Sequence, residues 1–413
     1  MTTLSRSLST VLVSALMLVS VSFQCLAASR EGLTVVIVNP ETSGKARSVE
    51  HEYTREEILS AKPLALAEVP EAAISGLDVP PATAQSSAVN DAPVITVSAG
   101  FPARGANRVA RREFPDQWAL LNSTAAEAEV FDRGFEGNGI EATAPLLQGW
   151  GPLDVSKHPY TSYWGNYWVS QQVQFPWKAV GKLLIRDGKS IYIGTAQVIH
   201  SDEGNLLVTA AHNVWNRKTN RPYSGFTFIP AERDGITPFG QFNWKSVRVL
   251  ARYIDGSSSS RDDVALMRLR NNGKHKPVMY YTGWLGMKIN LPYTLHVTAM
   301  GYSVGGGVES KWTTVSTGQT FYFNDSTICK GFTGGEDILF MGSNLVAGAS
   351  GGAWLYNFRP YEETKDGNYV VSVVSGGVLC DVMNVEEMLQ GPRFSDANIG
   401  VLCKYEGCTP DNP

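Results

Sequence analysis

One hydroxyl stands alone in the stretch Gly348-Ala349-Ser350-Gly351-Gly352. A serine oxygen is a weak nucleophile at neutral pH. It becomes reactive only beside a base that takes its proton, with a third group to orient that base and donors to receive the oxyanion. Small residues also crowd into ordinary turns, because glycine tolerates backbone angles that other residues avoid. The rest of the chain therefore decides between a turn and a reactive serine.

Six histidines are present: His51, His158, His200, His212, His275 and His296. Five sit in contexts that suit surface or packing roles. His212 ends the apolar run "GNLLVTAAH" and begins the turn "NVWN", so a strand end would hold it rigidly while leaving it free to reach a neighbouring unit. Asp263 opens the apolar run "DVALMRL". A carboxylate shielded there can accept the imidazole N–H and fix its tautomer. Asp262 is the competing carboxylate; if the strand has already begun, it points to the opposite face.

The elements that must hold these residues read as β-structure. "AVGKLLI", "SIYIGTAQVIH", "NLLVTAAH", "FTFIP", "SVRVLARYI" and "VALMRL" are short runs separated by Gly, Asp, Asn and Pro. After Leu285 follow "YTLHVTAMGYS", "WTTVSTGQTFYF", "DILFMGS", "GAWLYN" and "YVVSVVSGGVL". No long amphipathic helix intervenes, which predicts an all-β barrel or sandwich. A division near "NNGKHKPVMYYTG" predicts two such units in series, with no internal repeat.

The 413 residues carry a formal net charge of -4 and no long basic run, which argues against nucleic acid as a partner. Residues 1–27 read as a secretory signal, with Arg6, an apolar run from Val11 to Phe23 and small residues before a cut after Ala27. The apolar run is too short to span a bilayer comfortably. Gln24 stands where a lipoprotein signal would place a small residue before Cys25. The expectation is a secreted or periplasmic protein with no stable membrane insertion. Cleavage leaves Cys329, Cys380, Cys403 and Cys408, an even set that predicts two disulfides. Three pairings are open; Cys403 with Cys408 closes a small loop and leaves Cys329 with Cys380. No C-x-x-C pattern appears, so a metal has no support.

From Ala28 to Arg112 the only aromatics are Tyr53 and Phe101, while all ten Trp follow. Large aromatics dominate core burial, which predicts a main domain in the C-terminal part. The early segment contains the linker-like "DVPPATAQSSAVNDAP". Arg104, Arg108, Arg111 and Arg112 cluster after it, and read as a solvated basic loop or as a processing site. Residues 28–158 are therefore expected to be a propeptide or separable N-terminal region that buries little surface.

"TAAH", then "DDVAL" with Asp263 51 positions after His212, then "GASGG" with Ser350 a further 87 positions on, resembles the chymotrypsin-like serine endopeptidases. "PWKAVGKLLI" and "FTFIPAERDGITPFG" resemble the bacterial V8-like, glutamyl-endopeptidase-like subgroup. The resemblance runs from about Pro159 to Cys408. It implies a protease domain over 159–413 built from two six-stranded antiparallel β-barrels, the first at about 170–275 and the second at about 285–408. His212, Asp263 and Ser350 would form the triad in the cleft between them. The backbone N–H groups of Gly348 and Ser350 would receive the oxyanion, and a Cβ at Gly348 would force the loop out of that geometry. Gly351 and Gly352 would allow tight packing behind the nucleophile. The chemistry needs no cofactor, and the implied partners are protein or peptide substrates acted on by a monomer.

Departures from the family carry information too. Asn213 stands where a cysteine often follows the histidine, so the disulfide across the histidine loop is absent. Ala349 replaces the Asp that pairs with a new N-terminus in digestive enzymes, so inhibition by a propeptide is expected to work by occlusion. The substrate pocket is expected around Asn344, Leu345, Ser375, Gly376 and Gly377. Asn344 replaces an Asp of trypsin-like enzymes, Leu345 a threonine of the glutamyl enzymes, and Val374 stands where those enzymes carry a histidine. The expected S1 pocket is therefore neutral. The competing function is a catalytically inactive homologue that serves as a secreted binding protein or adhesin.

Overall fold

The computed structural model describes residues 28–40, 51–65, 92–123, 160–163, 172–257, 260–274, 276–305, 308–309, 313–320, 337–343, 345–360, 365–380 and 385–408. The signal, Cys329, Asn344, His158 and His275 fall outside these residues.

As expected from the sequence, the chain is mostly β, with one closed six-stranded antiparallel barrel and further sheets. In the first unit, Phe242–Leu250, Gly225–Pro230, Val180–Asp187, Ser190–Ile199, Leu206–Thr209 and Ala265–Leu269 pair in that order, all antiparallel. Ala265–Leu269 then pairs back onto Phe242–Leu250, so six strands close into a barrel. The continuous apolar run in Val180–Asp187 has a physical reason. Leu183 and Ile185 face the main core, while Leu184 faces a second cluster with Tyr53 and Ile58. Successive side chains point to opposite faces, and here both faces are covered.

The second unit combines two sheets. One has the order Ile95–Val97, Gly286–Ile289, Tyr369–Val373, Ala353–Tyr356, His296–Gly301, Thr314–Gln319 and Tyr160–Tyr163. Its one parallel contact joins Gly286–Ile289 to Tyr369–Val373. The other sheet places Val385–Pro392 between Ile338–Gly342 and Gly376–Cys380. Val297, Trp354 and Val371 from the first sheet share a core with Leu339, Met341 and Leu389 from the second.

The early segment buries more than its composition predicts. Ala28–Glu31 and Thr34–Val38 form a hairpin that adds to Phe242–Leu250. Lys62–Pro63 lies parallel to Ser190–Ile199, and Ile95–Val97 adds to Gly286–Ile289. Ile37 and Ile58 are fully or almost fully buried. Aliphatic side chains and strand ladders do the work that counting aromatics had assigned elsewhere. The Arg cluster lies not on a loop but largely on the helix Ala106–Glu113, where Arg108, Arg111 and Arg112 are exposed and Ala106 and Ala110 are buried. A second helical stretch, 115–123, docks Trp118, whose indole N–H donates to the Pro238 carbonyl at 2.8 Å.

The helix Ile399–Glu406 closes the described chain. Glu406 receives Arg248 at 2.7 Å and Arg268 at 2.5 Å, and Cys403 is bonded to Cys408. Among the described residues, no helix is long and apolar enough to cross a membrane.

Candidate active site

The strand Leu206–Thr209 ends in a single tight turn, Ala211–Asn213, that presents His212. Asp263 follows the turn Ser260–Asp262 and precedes the strand Ala265–Leu269. Thr209 and Ala265 are paired across the ladder, which brings the two ends together. Asp263 Oδ2 lies 2.7 Å from His212 Nδ1, and Asp263 Oδ1 accepts the His212 backbone N–H at 2.8 Å. One carboxylate thus fixes both the ring and the main chain of His212.

Ser375 supplies a third bond. Its hydroxyl donates to Asp263 Oδ2 at 2.5 Å, so a residue expected only to wall the substrate pocket also fixes the carboxylate. Burial would raise the Asp263 carboxyl. The His212 charge, its ring hydrogen bond, the Ser375 hydroxyl and the His212 N–H outweigh that and hold it below its ordinary value. Tyr253, which no local motif marks, is pushed well above the ordinary phenol value by burial and by the Asp263 charge beside it. Asp262 belongs elsewhere: Arg252 grips both its oxygens, with Nη2 to Oδ1 at 2.6 Å.

Ser350 sits on the loop before Ala353–Tyr356, in the second unit. Three contacts tie that loop to the first barrel. Thr195 N–H donates to the Ser350 carbonyl at 2.7 Å, the Asn213 amide donates to the same carbonyl at 2.8 Å, and the Thr195 hydroxyl donates to the Gly348 carbonyl at 2.9 Å. Ser350 and His212 are both buried, and among the described residues Ser350 Oγ and His212 Nε2 have no hydrogen-bond partner. These are the two atoms that a proton transfer between nucleophile and base would join.

The glycines have measurable reasons. Gly348 has φ +90°, and a Cβ there would meet the Tyr302 carbonyl at 2.4 Å. Gly351 has φ +81°, and its Cβ would meet Thr209 Oγ1 at 2.2 Å. Both positions combine left-handed backbone with backbone or side-chain crowding, so no other residue fits without movement.

Of the expected pocket residues, Leu345, Ser375 and Gly376 are buried and Gly377 is exposed. Asn344 lies outside the described residues, as does the side chain of Cys380.

Several solved structures are similar to this chain. They include the protease Anisep from Arthrobacter nicotinovorans, at 18% identity over 57% of this chain and 96% of that one, with a TM-score of 0.46. A thermostable serine protease, AL20, from an extremophilic microorganism is 18% identical over 57% and 98%, with a TM-score of 0.46. A Glu endopeptidase is 15% identical over 60% and 96%, with a TM-score of 0.44. No protein-family model matches the chain, and no curated protein does.

Proposed function

We propose that this chain is an exported serine endopeptidase with Ser350 as nucleophile, His212 as base and Asp263 as the orienting carboxylate. The observation that carries the reading is the His212–Asp263 pair at 2.7 Å, on a loop whose Asn213 is bonded to the main chain of Ser350. Ser350 Oγ attacks the substrate carbonyl carbon while its proton passes to His212 Nε2. Asp263 stabilises the imidazolium, and the N–H groups of Gly348 and Ser350 receive the oxyanion. The protonated His212 then donates to the leaving amine. Water, deprotonated by the same base, releases the acyl group.

Protein or peptide substrates, action as a monomer and a neutral S1 pocket formed with Leu345, Ser375, Gly376 and Gly377 belong to the same proposal. So does export directed by residues 1–27, followed by processing within 28–158. A second reading is a catalytically inactive homologue used for binding. It is favoured by one observation: the Gly348 N–H is already bonded, to the Leu64 carbonyl at 3.1 Å. Hydrolysis of a peptide library by the purified protein separates the two. The enzyme reading expects turnover that disappears in Ser350→Ala and in His212→Ala; the binding reading expects none in any of the three.

A further inference from the structure

The early segment reaches the candidate cleft. Leu64 O accepts from Gly348 N–H at 3.1 Å, and Leu64 N–H donates to Ile193 O at 2.9 Å. Lys62 and Pro63 run along Tyr192 and Ile193 of the first barrel. One residue is therefore held from both units, through its own main chain. Backbone pairing along a strand edge is a common way for a protein to hold an extended peptide.

Resting on the serine-protease reading, we propose that Tyr53–Leu64 is an internal ligand of the cleft that keeps the enzyme latent. It occupies the Gly348 N–H that an oxyanion requires, and the strand edge that an extended substrate would use. No covalent bond is made or broken, so the block is a reversible docking equilibrium. A strap docked ~99% of the time lowers apparent activity ~100-fold.

Contacts beyond Leu64 anchor the strap. Tyr53, Ile58 and Ala61 pack against Leu184, Ile193, Ile229 and Tyr302. Gln241 bonds both the N–H and the carbonyl of Tyr53, at 2.9 and 2.7 Å. Arg55 reaches Asp234 Oδ2 at 2.5 Å, and Thr54 with Glu57 caps the helix Arg55–Ser60. Tyr302 links the anchor to the site. Its N–H donates to Thr195 Oγ1, which donates in turn to the Gly348 carbonyl. The face that seats Ile58 is thus continuous with the loop that carries the oxyanion donor.

The test uses the full chain and a fluorophosphonate probe, with the rate of covalent labelling as readout. Leu64→Pro deletes the N–H to Ile193 and, with it, the Leu64 side chain that packs against the main core. Ile58→Asp places a carboxylate in the apolar anchor. Both are expected to label about tenfold faster or more than the unaltered chain, as a shift in docking of that size requires. A synthetic peptide spanning Tyr53–Ala65 is expected to slow the variants again. Equal rates in folded Leu64→Pro and the unaltered chain overturn the proposal and leave the protease reading standing. Faster labelling that the peptide does not reverse also overturns it. A strap recovered cut between Leu64 and Ala65 makes it a substrate, not an inhibitor. Failure of every variant to label overturns the proposal and the protease reading together.

Discussion

The Asn213 side-chain amide donates to the Ser350 carbonyl at 2.8 Å and lies 2.9 Å from Thr209 Oγ1. A Cβ on the facing Gly194 would come within 2.8 Å of the same amide nitrogen. In this chain a hydrogen-bonded asparagine, fitted over a glycine, supports the histidine loop that a disulfide often spans in the resembled family. It differs from a disulfide in one respect: it also grips the Ser350 loop of the other unit.

Asn213→Ala should therefore weaken both loops. The Ser350 carbonyl keeps its bond from the Thr195 N–H and the Thr209 hydroxyl its bond to the Thr195 carbonyl, so the loss is that of two ordinary hydrogen bonds, about 0.5–1.5 kcal/mol each. The expected outcome is a lower melting temperature together with a labelling rate at Ser350 that falls further than the stability loss explains. An unchanged labelling rate in the folded variant would mean that the amide supports the fold alone.

Asp263→Asn should fold and lose on the order of 10⁴ in turnover near neutral pH, because the amide favours the wrong imidazole tautomer. Asp262→Asn should leave turnover largely intact and lower stability through the loss of the Arg252 pairing. Turnover and melting of the two variants check this. The reversed pattern would make Asp262 the orienting residue.

The Asp263 carboxyl also predicts a pH dependence of stability. Its folded value lies below the ordinary 3.8, so the folded state holds the ionised form more strongly than the unfolded state does. The resulting stability is fully present above the ordinary value and is lost as pH falls through the lower folded one. Acid titration of the melting temperature should show a smaller loss in Asp263→Asn than in the unaltered protein across that window. Parallel curves would contradict it.

Much of this site was legible because its chemistry is local in sequence. "TAAH", "DDVAL" and "GASGG" mark three loop positions whose residue types are those that the proposed acyl transfer would need, and apolar alternation places each next to a strand. Ser375 was legible only as a pocket wall. Its bond to Asp263 depends on how the two units meet, and nothing near Ser375 in the chain encodes that. Leu64 was invisible for a related reason. Its contacts to Gly348 and Ile193 use backbone atoms, which every residue possesses. The early segment was misjudged by composition, because aliphatic side chains and ladder hydrogen bonds bury it where aromatics are scarce.

Trp118 tests how firmly that early region is attached. It is buried against the first barrel and bonded to Pro238. Trp118→Ala should cost about 3–5 kcal/mol, as truncation of a buried aromatic does. Chemical denaturation would measure it. A cost below about 0.5 kcal/mol, the range of an exposed substitution, would mean that residues 115–123 contribute little to the stability of the fold.

The central claim is that Ser350 is a nucleophile activated by His212. Its most direct test is fluorophosphonate labelling of the full chain and of Leu64→Pro, followed by mass mapping of the modified peptide. The account predicts a single phosphonylated residue, Ser350, labelled faster in Leu64→Pro and lost in His212→Ala. Labelling at another residue, or no labelling of either chain, would contradict it.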